Sequence, residues 1–135
     1  MEANKIIITG GATRIGAAIA KSLSGTGKEI IIHYNKSKSN AEKLKKELSK
    51  NKTKVYLIKG DLGKEQDLKK IIRFSKNKLK YFDCLINNAS LFENDNIENF
   101  TSDSWGRHLR TNLRTPALLS KVFAKNTKSK NNNII

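Results

Sequence analysis

Short β-branched runs alternate with amphipathic segments along this chain, and that alternation restricts the fold more than any other feature. Lys5 to Thr9 is a β-branched run closed by glycines, and Arg14 to Leu23 then carries Ile15, Ala18, Ile19 and Leu23 on one helical stripe. Glu29 to His33 reads as a second buried strand. Ser39-x-x-Glu42 reads as a capping box opening a helix with Ala41, Leu44 and Leu48 inward. Lys54 to Ile58 is a third strand, Gly63 starts a helix with Leu68, Ile71 and Ile72 on one face, and Tyr81 to Ile86 is a fourth strand. A long helix runs from Ser102 to about Lys125 with Trp105, Leu109, Leu113 and Ala117 in register. A polar loop to Asn133 then leads into Ile134-Ile135, the start of a fifth strand. Parallel neighbours need helical crossovers, and those crossovers are right-handed. The expected fold is α/β: a doubly wound parallel sheet, incomplete, with four strands and the beginning of a fifth.

Composition narrows the classes. The 135 residues suit one modest domain or part of one, and 37% hydrophobic content with a single proline suits a globular core. The longest bulky aliphatic runs, Ile6 to Ile8 and Ile30 to Ile32, fall far short of the ~20 apolar residues a membrane span needs. Met1-Glu2-Ala3-Asn4-Lys5 leads straight into a strand without the pattern of a secretory signal, so a cytoplasmic location is expected. The single cysteine, Cys84, excludes an internal disulfide framework and is expected in the core of strand four. His33 and His108 show no metal-ligand spacing, and His108 is expected on the surface of the long helix; no metal site is expected. The formal charge of +15 comes from 22 Lys and 5 Arg against 12 acids. Lys43, Lys45, Lys46 and Lys50 lie scattered on a polar face rather than interleaved with aromatics, so nucleic acid is not an expected partner. Such an excess attracts anions generally, a phosphorylated cofactor among them.

Thr9-Gly10-Gly11-Ala12-Thr13-Arg14-Ile15-Gly16 stands between the first strand and the first helix. Glycines there let the backbone pass close to a pyrophosphate resting on the positive end of the helix. The Walker lysine pattern is lacking, which disfavours a nucleoside triphosphatase. An acid at the end of strand two would hold the ribose 2′-hydroxyl of NAD, yet after Glu29 the next acid is Glu42. His33-Tyr34-Asn35-Lys36-Ser37-Lys38 offers donors and positive charge instead, and Arg14 can approach the same ribose. That set matches the dianion of a 2′-phosphate, so NADP(H) is the expected cofactor.

These residues, with Asp61-Leu62 after strand three and Asn87-Asn88-Ala89-Ser90 after strand four, resemble the short-chain dehydrogenase/reductase family. The resemblance covers essentially the whole chain and implies that residues 1–135 are the N-terminal portion of a single NAD(P)-binding Rossmann-like domain. The family's usual central turn glycine is Arg14 here, and its Asn-Asn-Ala-Gly ends in Ser90. Both departures, with His33-Tyr34-x-x-Ser37, resemble the pteridine reductase and dihydromonapterin reductase branch. The resemblance implies that Gly10, Thr13, Arg14, Ile15 and Gly16 line the pyrophosphate and ribose, and that Tyr34, Asn35, Lys36 and Ser37 face the 2′-phosphate. It places Asp61 and Leu62 at the adenine, and Asn88, Ala89 and Ser90 along the nicotinamide ribose. Ser90 and Phe92 would bind substrate, Phe92 by stacking on a flat heterocycle; plain loop packing is the alternative for Phe92, and a turn role for Asp61.

Asn112 on the long helix matches the asparagine of the family's catalytic tetrad. Pro116 lies four residues later without an N–H, so the Asn112 carbonyl would be freed to hold a water, or the helix would simply kink. The family's tyrosine and lysine, four residues apart beyond strand five, have no counterpart; Tyr34 and Lys38 share that spacing but follow strand two. The resemblance therefore implies an N-terminal part whose whole protein is an NADPH-dependent oxidoreductase reducing a dihydropterin or dihydrofolate-like small molecule, assembled as a dimer or tetramer. A 3-oxoacyl or other ketone reductase, a non-catalytic nucleotide-binding chain and a basic nucleic-acid-binding module are the competing readings.

Overall fold

Three of the five strands are short, mainly aliphatic runs buried on both faces, as a parallel sheet covered by helices on each side requires, and a fourth, Lys54–Lys59 at the sheet edge, is only partly buried. The computed structural model describes residues 3–128 and 132–135. Its elements run β1 (Lys5–Ile8), α1 (Arg14–Ser22), β2 (Glu29–Tyr34), α2 (Lys38–Lys50), β3 (Lys54–Lys59), α3 (Glu65–Leu79), β4 (Cys84–Ile86), α4 (Ser102–Leu109), a π-helical segment (Arg110–Arg114), α5 (Thr115–Asn126) and β5 (Asn133–Ile134). The sheet order is β3-β2-β1-β4-β5, and every pairing is parallel. Successive connections run to one side of β1 for β2 and β3 and to the other for β4 and β5, so the crevice beyond the carboxyl ends of β1 and β4 is the topological switch point.

The period-2 alternation of strand side chains builds two cores. Ile6, Ile8, Ile30 and Ile32 meet Ala20, Ala41, Leu44 and Leu48 of α1 and α2 on one face. Ile7, Ile31 and Leu85 meet Leu68 and Ile71 of α3 and Leu119 and Phe123 of α5 on the other. Phe82 and Phe123 stack there with centroids 6.1 Å apart. Cys84 is wholly buried, and burial raises its thiol pKa. Among the described residues, no helix is long and apolar enough to cross a membrane.

Several local expectations are corrected. Glu42 does not close a capping box with Ser39, because α2 already starts at Lys38 with Ser37 at its N-cap position. The reciprocal capping box lies instead at α4, between Thr101 and Ser104. Gly63 precedes α3 rather than opening it: its N–H donates to Asp61 Oδ1 at 2.9 Å, and the helix begins at Glu65. In α1, Ile19 and Leu23 of the expected stripe pack against the core, but Ile15 and Ala18 are exposed, and Gly16 and Ala20 are buried in their stead. The apolar stripe of the long helix also faces outward, with Trp105 59%, Leu109 42% and Leu113 65% exposed and Ala117 exposed beside them. The sheet takes up Thr115, Leu119 and Phe123 instead. A helix with two apolar stripes carries no label saying which one the sheet will cover. The strand expected from Tyr81 is paired as a strand only over Cys84–Ile86, with Phe82 bridging to Thr127 alone. The fifth strand pairs with β4 at Asn133 and Ile134, and Ile135 N–H donates to Leu85 O at 3.0 Å. Part of the polar loop before it, at 129–131, lies outside the described residues.

Candidate functional site

A cavity of about 760 Å³ opens at the switch point. Its floor is the glycine turn. Gly10 has φ +61°, and a Cβ there would stand 2.9 Å from the Ala89 Cα. A Cβ on Gly16 would stand 2.4 Å from the Gly10 carbonyl oxygen and 2.6 Å from Asn88 Nδ2. The turn is packed against the segment after β4 through backbone that leaves no space for side chains. Asn88 Nδ2 donates to the Thr9 and Gly10 carbonyls, each at 3.0 Å. Thr9 Oγ1 accepts the N–H groups of Asn88 and Ala89, also at 3.0 Å, and donates to the Ile86 carbonyl. Thr9 and Asn88 thus weld the two crevice lips together.

Of the residues expected at a cofactor, Gly10, Thr13, Arg14, Ile15 and Gly16 line this cavity from the turn. Tyr34, Asn35, Lys36 and Ser37 line it from the end of β2, and Asn88, Ala89 and Ser90 from the end of β4. Arg14 occupies the left-handed region at φ +49°, conformational strain of about 1 kcal/mol for a non-glycine residue. The cavity lining contains two cationic side chains, Arg14 and Lys36, and no acidic residue among those described. The first turn of α1 carries no acid either, so the positive helix end faces the cavity unneutralised. Ile15 is 71% exposed on the cavity wall, an apolar side chain with no protein partner to cover it.

Asp61 and Leu62 line an adjoining cavity of about 380 Å³ that shares His33, Asn35 and Lys36 with the first. Asp61 also serves its turn: its carboxylate accepts Gly63 N–H, and its own N–H donates to Asp67 Oδ2 at 2.8 Å. That backbone donor holds the Asp67 pKa below the usual carboxylate value. Leu62 is buried in the second core, and its carbonyl accepts the Thr115 hydroxyl at 2.7 Å.

Phe92 is 84% exposed and lines neither cavity, so loop packing does not account for it. The backbone on either side of it is held to the long helix. Asn112 Oδ1 accepts Leu91 N–H and its Nδ2 donates to the Leu91 carbonyl, both at 2.8 Å. His108 Nε2 accepts Glu93 N–H at 3.1 Å, and Arg107 donates to both oxygens of the Glu93 carboxylate, at 3.1 and 2.8 Å. His108 is therefore half-buried and bonded rather than a free surface residue. Asn112 lies in the π-helical segment, where Thr115 N–H reaches the Arg110 carbonyl five residues back and Pro116 follows. Glu93, Asp95 and His108 bring ligand-type atoms within 4.8 Å of one another, a grouping that spacing along the sequence did not reveal. Both His108 nitrogens and the Glu93 carboxylate are already hydrogen-bonded, so the grouping is accounted for as a loop anchor.

The sequence offers His33 as one donor among those at the end of strand two and gives it no individual role. His33 is 2% exposed at the centre of the site. Gly10 N–H donates to Nδ1 at 3.2 Å, and Nε2 lies 2.9 Å from the Gly60 carbonyl. Burial pulls its pKa below 6.5, outweighing the Gly60 carbonyl, Asp61 and Asp67, which raise it. A polar residue near the end of an otherwise aliphatic buried strand was the available signal.

A parallel, doubly wound sheet with a glycine turn at its switch point defines the Rossmann-like class. The chain belongs to the short-chain dehydrogenase family, whose pattern it matches over residues 4–135. It is 29% identical over 113 residues to the short-chain dehydrogenase/reductase FrzI of Cladobotryum sp, an alignment covering 84% of this chain and 44% of that protein. Among solved structures, a short chain dehydrogenase from Burkholderia cenocepacia J2315 in complex with NADP superposes with TM-score 0.89 at 25% identity, covering 97% of this chain and 53% of that one. FolM alternative dihydrofolate reductase 1 from Brucella canis, complexed with NADP, superposes with TM-score 0.81 at 29% identity, covering 92% of this chain and 49% of that one. The chain thus spans about half the length of the proteins it matches.

Proposed function

We propose that this chain binds NADP(H) across the switch-point cavity and that the whole protein is an NADPH-dependent reductase. The observation that carries the cofactor choice is the lining: Arg14, Asn35, Lys36 and Ser37 converge with no described acid among them. A guanidinium, an ammonium, an amide and a hydroxyl suit a phosphate dianion, whereas NAD selection calls for a carboxylate at the end of β2. The donor set therefore fits the group. When bound, NADPH would supply the hydride. The residues of this chain would do the rest of the binding work. The α1 end and glycine turn would receive the pyrophosphate, exposed Ile15 would be covered by the cofactor, and Ala89 and Ser90 would border the nicotinamide ribose.

Titration with NADPH and NADH, followed by cofactor fluorescence, tests the reading. NADPH is expected to bind at least about tenfold more tightly, and Arg14→Ala to erase most of that difference. Equal affinities in the wild type would rule it out.

For the substrate, the reading is a dihydropterin or dihydrofolate-like heterocycle. The exposed Phe92 ring, presented between two backbone anchors at Leu91 and Glu93, supplies a flat apolar face. Similarity to the FolM dihydrofolate reductase fold, and Arg14 and Ser90 in place of the family's usual glycines, support the same branch. Asn112 is the one tetrad residue in the chain, and its side chain holds the loop that carries Phe92. Turnover of dihydrobiopterin and dihydrofolate by the whole protein, against a 3-oxoacyl ester, distinguishes this from a general ketone reductase; preference for the ester would favour the latter. The outward stripe of Trp105, Leu109 and Leu113 supports assembly through the long helix.

A further inference from the structure

We infer that His33 is a positioning residue for the nucleotide, a buried neutral imidazole that ties the glycine turn to the turn bearing Asp61. This inference rests on the nucleotide reading and deepens it.

The tautomer is dictated by the partners. Gly10 can only donate through its N–H, so Nδ1 must carry the lone pair. Gly60 can only accept through its carbonyl, so Nε2 must carry the hydrogen. A doubly protonated ring would lose the Gly10 contact, and the opposite tautomer would lose both. The wholly buried position, with its lowered pKa, keeps the ring in the one form that serves both turns.

What the strut controls follows from where its ends lie. Gly10 is held at φ +61°, and Gly16 packs against the Gly10 carbonyl with no room for a Cβ. The orientation of the 9–10 and 10–11 peptides therefore sets where α1 begins and where its N–H groups point. His33 fixes this turn from beneath, through its ring at Gly10 and its own carbonyl, which accepts Gly11 N–H at 3.0 Å. The other ring nitrogen fixes Gly60, next to Asp61 in the adjoining cavity. Backbone contacts between β2 and its neighbours hold the strand in any case. The β2 backbone meets both turns as well, Gly11 N–H at the His33 carbonyl and Gly60 N–H at the Tyr34 carbonyl, each at 3.0 Å; the His33 ring adds a direct tie from one turn to the other that the nucleotide would bridge.

Two isosteric halves separate the contacts. The amide oxygen of asparagine reaches the position of Nδ1 and can accept Gly10 N–H, but its side chain stops short of Gly60. Glutamine reaches toward Gly60 and leaves Gly10 N–H unpaired. Each variant gives up one buried hydrogen bond, so the two should melt at similar temperatures. Binding should differ: with NADPH and with ADP-ribose, His33→Asn is expected to stay within about threefold of wild type, and His33→Gln to weaken by about tenfold or more. Equal binding by the two variants, whether near wild type or equally lost, would reduce His33 to a packing residue and overturn the inference. Nitrogen NMR of wild-type His33 provides a check independent of variant folding. Protonation at Nε2 with a bare Nδ1 is expected at neutral pH, and a hydrogen on Nδ1 would overturn the inference. Failure of wild-type chain to bind either nucleotide would instead remove the nucleotide reading on which it rests.

Discussion

The two halves of the crevice are built in different ways. On the glycine-turn side, the cavity rests on strand ends whose isoleucines are almost wholly buried, and its geometry comes from backbone packed on backbone. On the Phe92 side, Phe92, Ile97 and Phe100 are 84%, 86% and 47% exposed, and a handful of side chains from the long helix hold the loop in place. The first half is rigid because shifting any part of it would strain the sheet. The second is adjustable because its contacts are few and partly exposed. A cofactor shared across a family suits the rigid half, and a substrate that differs between members suits the adjustable one.

The sharpest way to break this contrast is Gly16→Ala. With the new Cβ set 2.4 Å from a backbone oxygen, the turn must move; NADPH binding is expected to be lost and stability to fall by about 1–3 kcal/mol, read by titration and denaturant unfolding. Thr9→Val should come next. It leaves the Asn88 and Ala89 N–H groups without their acceptor, at about 1–3 kcal/mol, with NADPH affinity falling alongside. Arg107→Ala should do far less. Its pair with Glu93 is partly exposed and screened by solvent, so the loss of stability should be small, with faster amide exchange at Leu91 and Glu93. Nucleotide affinity should hardly change; a loss as large as that of Thr9→Val would mean the halves are not independent.

The smallest expected effect is in pH. His33 titrates below 6.5 in the folded chain because it is buried, so the unfolded chain binds the proton first. Stability is then complete above pH 6.5 and declines as pH falls from there toward the folded-state value. Asp61, Asp67 and Lys70 face the ring and modulate the shift, the two acids raising the pKa and the lysine lowering it. Denaturant unfolding across this range should show the decline in wild type and lose most of it in His33→Asn.

Much of the rigid half was legible beforehand. The glycine turn, the acid-free end of β2 and the Asn87-Asn88-Ala89-Ser90 segment are contiguous stretches, and each carries its signal in local residue types. The residues expected at the pyrophosphate and 2′-phosphate indeed line one cavity. The adjustable half was less legible. Asn112 was singled out, but its clasp on Leu91 lies 21 residues away in sequence, and the Glu93 contacts with Arg107 and His108 lie 14 and 15 away. The outward stripe of Trp105, Leu109 and Leu113 was misjudged for the same reason: burial depends on what docks, and periodicity records only that something could.

Local chemistry was therefore enough to determine the alternation of strands and helices, with the parallel sheet it implies, and the anion-seeking character of the turn, because propensity, period and charge act within a few residues. Tertiary structure alone decided the role of His33, the anchoring of Phe92 and the choice between helix faces. Each depends on which distant backbone groups come within about 3 Å, and hydrogen bonding and burial are settled only at that range.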